Sequence, residues 1–270
     1  MTGGPPHEKN LLCIGIGLTA GVFGGLIGLG GGIIMVPLLA GLVGMAQCRA
    51  HGTSLAVLIF TGLSGAVTYG LHGQVNWPAA LALALPAVLT APAGARLADR
   101  LPDWKLKRAF GVFLILCCLL LLFKPLVSGL PGLIDSRAAL AALAATGALT
   151  GFLSGLMGVG GGTIMVPAMI LLAGFSQHTA QGTALMVMVP AGAVGAFTHW
   201  RLGNVDHISL LCLAPGIVAG AYIGGSAAQI IPDDPLRWLF VAVATYMGWR
   251  YLRAIKPDNT CDTGKQEPGR

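Results

Sequence analysis

Gly21-Val-Phe-Gly-Gly-Leu-Ile-Gly-Leu-Gly-Gly-Gly-Ile-Ile-Met-Val-Pro37 returns 130 residues later as Gly151-Phe-Leu-Ser-Gly-Leu-Met-Gly-Val-Gly-Gly-Gly-Thr-Ile-Met-Val-Pro167. Each copy is an apolar run split by glycines and closed by a proline. The offset holds without a gap well beyond the run. Gln47 matches Gln177, Gly52-Thr53 matches Gly182-Thr183, Thr68 matches Thr198, and Pro102-Asp103 matches Pro232-Asp233. Matches at Pro, Gln, Thr and Asp are not what Gly/Ala/Leu-rich composition produces by chance. The chain therefore reads as one unit duplicated.

Each unit lies in an apolar setting. Of the 270 residues, 55% are hydrophobic and 10% charged, against about 25% charged in an average soluble domain. Val75–Ala95 and Val112–Phe123 hold no charged side chain. Uncharged apolar stretches near 20 residues read as membrane-spanning helices. The coarse segments are Leu11–Gly44, Thr53–Leu71, Pro78–Arg96 and Lys107–Phe123, then Ala138–Gly174, Thr183–Trp200, Ile208–Ile230 and Arg237–Tyr251. The apolar start lacks a clear cleavage site and is expected to be retained. This gives an all-α, polytopic integral membrane protein. Its expected parts are a short cytoplasmic N-terminus (1–10), repeat 1 (11–130), repeat 2 (131–255) and a polar tail (256–270).

The net charge of +6 sits in short loops between apolar segments, and basic patches with interleaved aromatics are absent. Nucleic acid is not an expected partner. Six cysteines form no C-x-x-C pair, so neither a metal site nor a disulfide framework is expected. No cofactor is implied.

The first segment of each repeat is too long for one crossing, since about 20 helical residues suffice. It either crosses once or folds back at its glycines. Single crossing divides Lys and Arg 7 to 9 between the two sides. Folding back divides them 13 to 3, with only Lys124, Arg137 and Arg237 on the minority side. The excess of cytoplasmic Lys and Arg in membrane proteins favours the second threading. Each repeat then opens with a glycine-broken helical hairpin and crosses an odd number of times. The repeats lie inverted, with both termini cytoplasmic.

Glycines at membrane depth free backbone polar groups, which are tolerated only in protein or in a wet cavity. A helix restarting after such a break aims its N-terminal amides, with their partial positive charge, at the break. Two inverted hairpins would bring two such ends to the midplane around a small anion. The candidate substrate residues are Gly30, Gly31, Gly32 and Gly160, Gly161, Gly162, with Thr163. Thr53, Ser54 and Thr183, at one end of the second segments, could add hydroxyls, or the threonines could cap helices. His51 and its counterpart Gln181 are candidates for proton coupling. Gln47 and Gln177 read as loop residues capping helix ends. Tyr69 and His199 read as interface anchors, and Pro37 and Pro167 as kinks or helix starts.

The doubled motif Gly-Leu-x-Gly-x-Gly-Gly-Gly-x-x-x-Val-Pro, at Gly25–Pro37 and Gly155–Pro167, resembles that of the TauE/SafE-type exporters. Gly-Thr-Ser-Leu at 52–55 and Gly-Thr-Ala-Leu at 182–185 extend the resemblance, which covers roughly Leu11 to Tyr251. It implies a secondary carrier that moves sulfite or an organosulfonate outward across the bacterial inner membrane. Ala184, where repeat 1 has Ser54, makes the two halves unequal. The expected partners are the small anion and the lipid bilayer, with a homodimer left open. An anion channel is the main alternative. An intramembrane serine protease is a lesser one, using Ser64 of Gly62-Leu-Ser-Gly65 with His199 as base.

Overall fold

A computed structural model describes residues 6–98 and 136–253, together with isolated helical positions between 108 and 119. Of the segment expected at Lys107–Phe123 only those positions are described, and the polar tail lies outside the described residues. Among the described residues the chain is helical throughout. The first half supplies α1 (Pro6–Ile27), α2 (Gly32–Gly41), α3 (Gln47–Leu71) and α4 (Trp77–Ala98). The second supplies α5 (Ser136–Met157), α6 (Gly162–Leu172), α7 (Gln177–Arg201), α8 (His207–Ile230) and α9 (Asp233–Leu252). The stretches Cys48–Leu71, Trp77–Ala98, Leu140–Met157, Gln177–Arg201 and His207–Ile230 are each long and apolar enough to cross a membrane. Leu63, Leu81, Leu85, Leu89, Leu211 and Ile223 point outward and are exposed. A belt of that kind fits lipid rather than water.

The long first segments are broken at the glycines. α1 ends at Ile27 and α2 begins at Gly32; α5 ends at Met157 and α6 begins at Gly162. Gly28, Gly30 and Gly31 have φ of 74°, 77° and 78°, and Gly158 and Gly160 have 64° and 82°. Residues with a Cβ rarely adopt that region, so the turn needs glycine. The chain doubles back there. Gly31 lies against the Ala20 carbonyl, and Gly24 lies against the backbone of Gly30 and Gly31. α2 has 10 residues, about 15 Å of helix, so the return arm covers roughly half of a hydrocarbon core about 30 Å thick.

Pro37 and Pro167 fall inside α2 and α6, at the sixth position of each, and start neither helix. Having no N–H, each leaves the carbonyl four residues earlier, at Ile33 or Thr163, without its helical donor. That carbonyl belongs to the first turn beside the break.

The two halves interlock. α1 packs on α8, α4 on α5, and α3 on α7. The first pairing uses Gly17, Gly21 and Gly25, seated on the carbonyls of Leu213, Ile217 and Ala221. The second uses Gly147, Gly151 and Gly155, seated on those of Leu83, Ala87 and Ala91. Every residue in one set is the other's partner shifted by 130. Glycines four apart let helices approach backbone to backbone, which is how apolar helices associate where no water drives them together. Much of the glycine content serves this packing.

Cys13, Cys118 and Cys212 are free thiols, whereas Cys48 is disulfide-bonded. The sequence expectation of no disulfide is corrected at Cys48, where spacing along the chain gave no sign of a pairing.

Candidate functional site

The two breaks meet. A Cβ on Gly32 would strike the carbonyls of Val159 (2.7 Å) and Gly158 (2.8 Å). A Cβ on Gly162 would strike the Gly28 carbonyl and the Met188 methyl. Leu58 of α3 and Met188 of α7, again 130 apart, close over the junction: both lie against Gly30 and against Gly160. In each return arm the first helical bonds run from the third and fourth amides after the break to the preceding glycine carbonyl. Ile34 and Met35 donate to Gly31, and Ile164 and Met165 donate to Gly161. The amides of Gly32, Ile33, Gly162 and Thr163 precede these bonds, so they form the positive ends that face the break.

Hydroxyls surround this junction. Thr163 is fully buried and its Oγ1 has no partner; the same holds for Thr61 of α3. Thr61 packs its methyl against Gly24, one turn from Gly28. A cavity with room for on the order of one water molecule lies beside the second break, lined by Thr150, Ser154, Gly160, Gly161, Met165 and Met188. No residue analogous to Thr61 fills that side, because its counterpart is Ala191.

The other expected residues are placed as follows. Ser54 is buried and its Oγ donates to the Gly158 carbonyl at 2.9 Å. Ala184, its counterpart, offers no such bond. His51 covers the second break, its backbone against Gly158, and Gln181 covers the first, its side chain against Gly28. These residues join the glycines in one site.

Thr53 and Thr183 have their hydroxyls engaged by backbone amides of the other half. They are neither N-caps of their own helices nor placed at their ends, since α3 and α7 begin six residues earlier. Thr53 Oγ1 accepts the Asp206 amide ahead of α8, and Thr183 Oγ1 accepts the Asn76 amide ahead of α4, each at 3.0 Å. The two threonines thus clamp the start of a helix in the other half. Both hydroxyls keep a proton to donate.

Gln47 and Gln177 are not loop residues: each is the first residue of its helix, and Ser176 is the cap that accepts the Thr179 amide. The polar first turns hid these helix starts. Tyr69 and His199 are fully buried rather than interfacial. Tyr69 Oη–H donates to the Gly25 carbonyl at 3.1 Å, and His199 Nε2–H donates to the Gly155 carbonyl at 2.8 Å. These carbonyls end α1 and α5, where helical donors have run out. Each ring therefore latches the last turn before a break. The same Tyr69 hydroxyl has a second acceptor in Gln181 Oε1 at 2.9 Å. Sequence reasoning missed this role. The signal was present: two bulky polar rings at matching positions of otherwise apolar helices.

The protease arrangement does not form. Ser64 Oγ donates to the Val218 carbonyl on an exposed face, while the His199 ring is held at Gly155. A nucleophile needs its base within hydrogen-bond reach.

Comparison with known proteins agrees with this architecture. The profile of the family described as sulfite exporter TauE/SafE matches residues 13–251. A probable membrane transporter protein of Bacillus subtilis, YunE, is 33% identical over 240 residues, covering 80% of this chain and 87% of its own length. Probable membrane transporter proteins of Xylella fastidiosa and Methanocaldococcus jannaschii are 28% and 26% identical, over 90% and 88% of this chain and 96% and 93% of their own. No solved structure matches. A multi-pass helical protein with this match is a membrane transporter rather than an enzyme, and the chain belongs to the TauE/SafE sulfite exporter family.

Proposed function

We propose that this transporter is a secondary carrier that exports a small sulfur oxyanion, sulfite or an organosulfonate, across the bacterial inner membrane. The anion binds at the junction of the two breaks and alternates between two faces of the membrane. The observation that carries this reading is the meeting of two helix starts, at Gly32 and Gly162, beside buried hydroxyls of Thr61 and Thr163 that have no partner. Two positive helix ends with hydroxyl donors suit an oxyanion without a buried Lys or Arg. The family description adds sulfite to what the geometry supports as a small anion.

The repeats are inverted about an axis in the membrane plane, and both termini are cytoplasmic. Contacts between the halves that recur at an offset of 130 support this arrangement. His51, in the half where Gln181 is the counterpart, carries the coupling proton. The closed junction, with space for about one water, supports alternating access over an open channel.

Proteoliposomes test the reading. Wild type should show saturable sulfite or sulfoacetate flux that responds to an imposed pH gradient. Gly31→Leu and Gly161→Leu should abolish it. His51→Gln should keep flux and lose the gradient response. Wild type that moves neither anion would remove the substrate assignment. Normal transport by both glycine variants would move the site elsewhere, and flux that never saturates would favour a channel.

A further inference from the structure

Buried amide groups without partners are rare, and each one in an apolar interior calls for an explanation. Gln177 is 4% exposed, and neither its Nε2 nor its Oε1 has a hydrogen-bond partner. Gln181 is fully buried and its Nε2 has none. The two residues are four apart on α7 and share one face. That face leads to the junction, because Gln181 Cβ and Cγ lie over Gly28.

Gln181 Oε1 accepts from Tyr69 Oη–H, but no protein group answers its Nε2 or either end of the Gln177 amide. Ser176 caps α7. His178 ties the start of α7 to its neighbours, through the Asp233 carboxylate and the Ala228 carbonyl. Gln177 takes part in none of this. The free energy lost by leaving three amide atoms unpaired would be recovered by apolar residues of the same shape. Glutamines there fit a partner that arrives and leaves.

The chemistry of that partner follows from the donors. A carboxamide offers two N–H groups and no net charge. It can replace part of an oxyanion's hydration without holding the ion as tightly as Arg or Lys would. Weak, successive sites of this kind suit passage rather than storage. We infer that Gln177 and Gln181 form a second oxyanion subsite, a two-step amide ladder between the junction and the membrane face at the α7 N-terminus. The inference rests on the anion-transporter reading above. In the proposed topology this face is external, so the ladder is the release path.

The test uses the full-length protein in proteoliposomes with sulfite as probe. Gln177→Met removes the amide at nearly constant size. It should raise the KM for sulfite about tenfold, the loss of one hydrogen bond to a charged group, without lowering the Tm of the purified protein. Gln177→Asn, which keeps an amide, should recover part of the affinity. Independently, Gln177→Cys should react with a membrane-impermeant thiol reagent above the wild-type background, and sulfite should slow that reaction.

An unchanged KM in Gln177→Met, with saturable wild-type flux, overturns the ladder and leaves the transporter reading standing. Wild type without saturable flux of sulfite or sulfoacetate overturns both. If Gln177→Met does not fold, the cysteine variant decides: labelling that sulfite does not slow overturns the ladder.

Discussion

The break at Gly28–Gly32 and the break at Gly158–Gly162 share their glycines, yet their backbones part at the last turn residue, with φ of 78° at Gly31 and −83° at Gly161, and they are fastened differently. The first is latched by Tyr69 and covered by Gln181, and Thr61 fills the space beside it. The second is latched by His199, pinned by Ser54 at the Gly158 carbonyl and covered by His51, and a small cavity remains beside it. The hydrogen bonds that open the two return arms are common to both halves, while the side chains that titrate or donate are not. Features a bound anion requires from both sides are duplicated. Features that make one face of a membrane differ from the other have no reason to be.

The largest effect should come from destroying what is common. Gly162→Val drives a side chain into the Gly28 carbonyl and Met188, and Gly32→Val does the same at Val159. Overpacking a backbone contact costs on the order of 3 kcal/mol. We expect loss of flux in both, read as uptake by proteoliposomes. If one variant stays active, the halves do not contribute equally to the site.

Next in size are the fastenings that differ. Ser54→Ala leaves a buried carbonyl short of a donor and should cost about 1–2 kcal/mol, seen as a lower Tm in detergent. Tyr69→Phe removes the latch on the first break only and should cost about 1 kcal/mol. The pH response of transport should survive it, because the titratable side chains sit on the other break. A pH response lost in Tyr69→Phe would merge the two breaks into one coupled unit. The smallest effect should be at Gly44, which has φ of 72° but nothing near a Cβ. Gly44→Ala should cost about 1 kcal/mol through backbone strain alone and leave flux intact. It separates the need for glycine as a turn from the need for glycine as a contact.

The breaks, the duplication and the span pattern could be read from residue order, because each is local or periodic. Thr53 and Thr183 show where that reading runs out. Their bonds go to amides more than 100 residues away in the other half, and nothing local distinguishes such a bond from a cap. The starts of α3 and α7 were obscured because Gln47, His51, Gln177 and Gln181 are polar and hydropathy places polar residues in loops. Within a bundle, the surroundings of a helix end include protein as well as lipid. The same reasoning places Tyr69 and His199 at the interface, whereas both are buried. The hydroxyls of Thr61 and Ser154 could not be singled out, since serine and threonine inside an apolar helix usually bond their own backbone. Only the fold shows that Ser154 lines the cavity beside the second break and that Thr61 lies against Gly24.

The backbone pairing of α1 with α8 also constrains biogenesis. α4 and α5 are separated in translation order only by the segment at Lys107–Phe123 and can dock as soon as both are inserted. α1 enters the bilayer first, yet its glycine ridge finds its partner only when α8 has been made. The earliest helix is therefore seated late. During synthesis it waits with its narrow face against lipid or an insertion factor. A chain truncated before α8 should leave that face open to quality-control proteases, so the integrity of the product is checked by its own first helix.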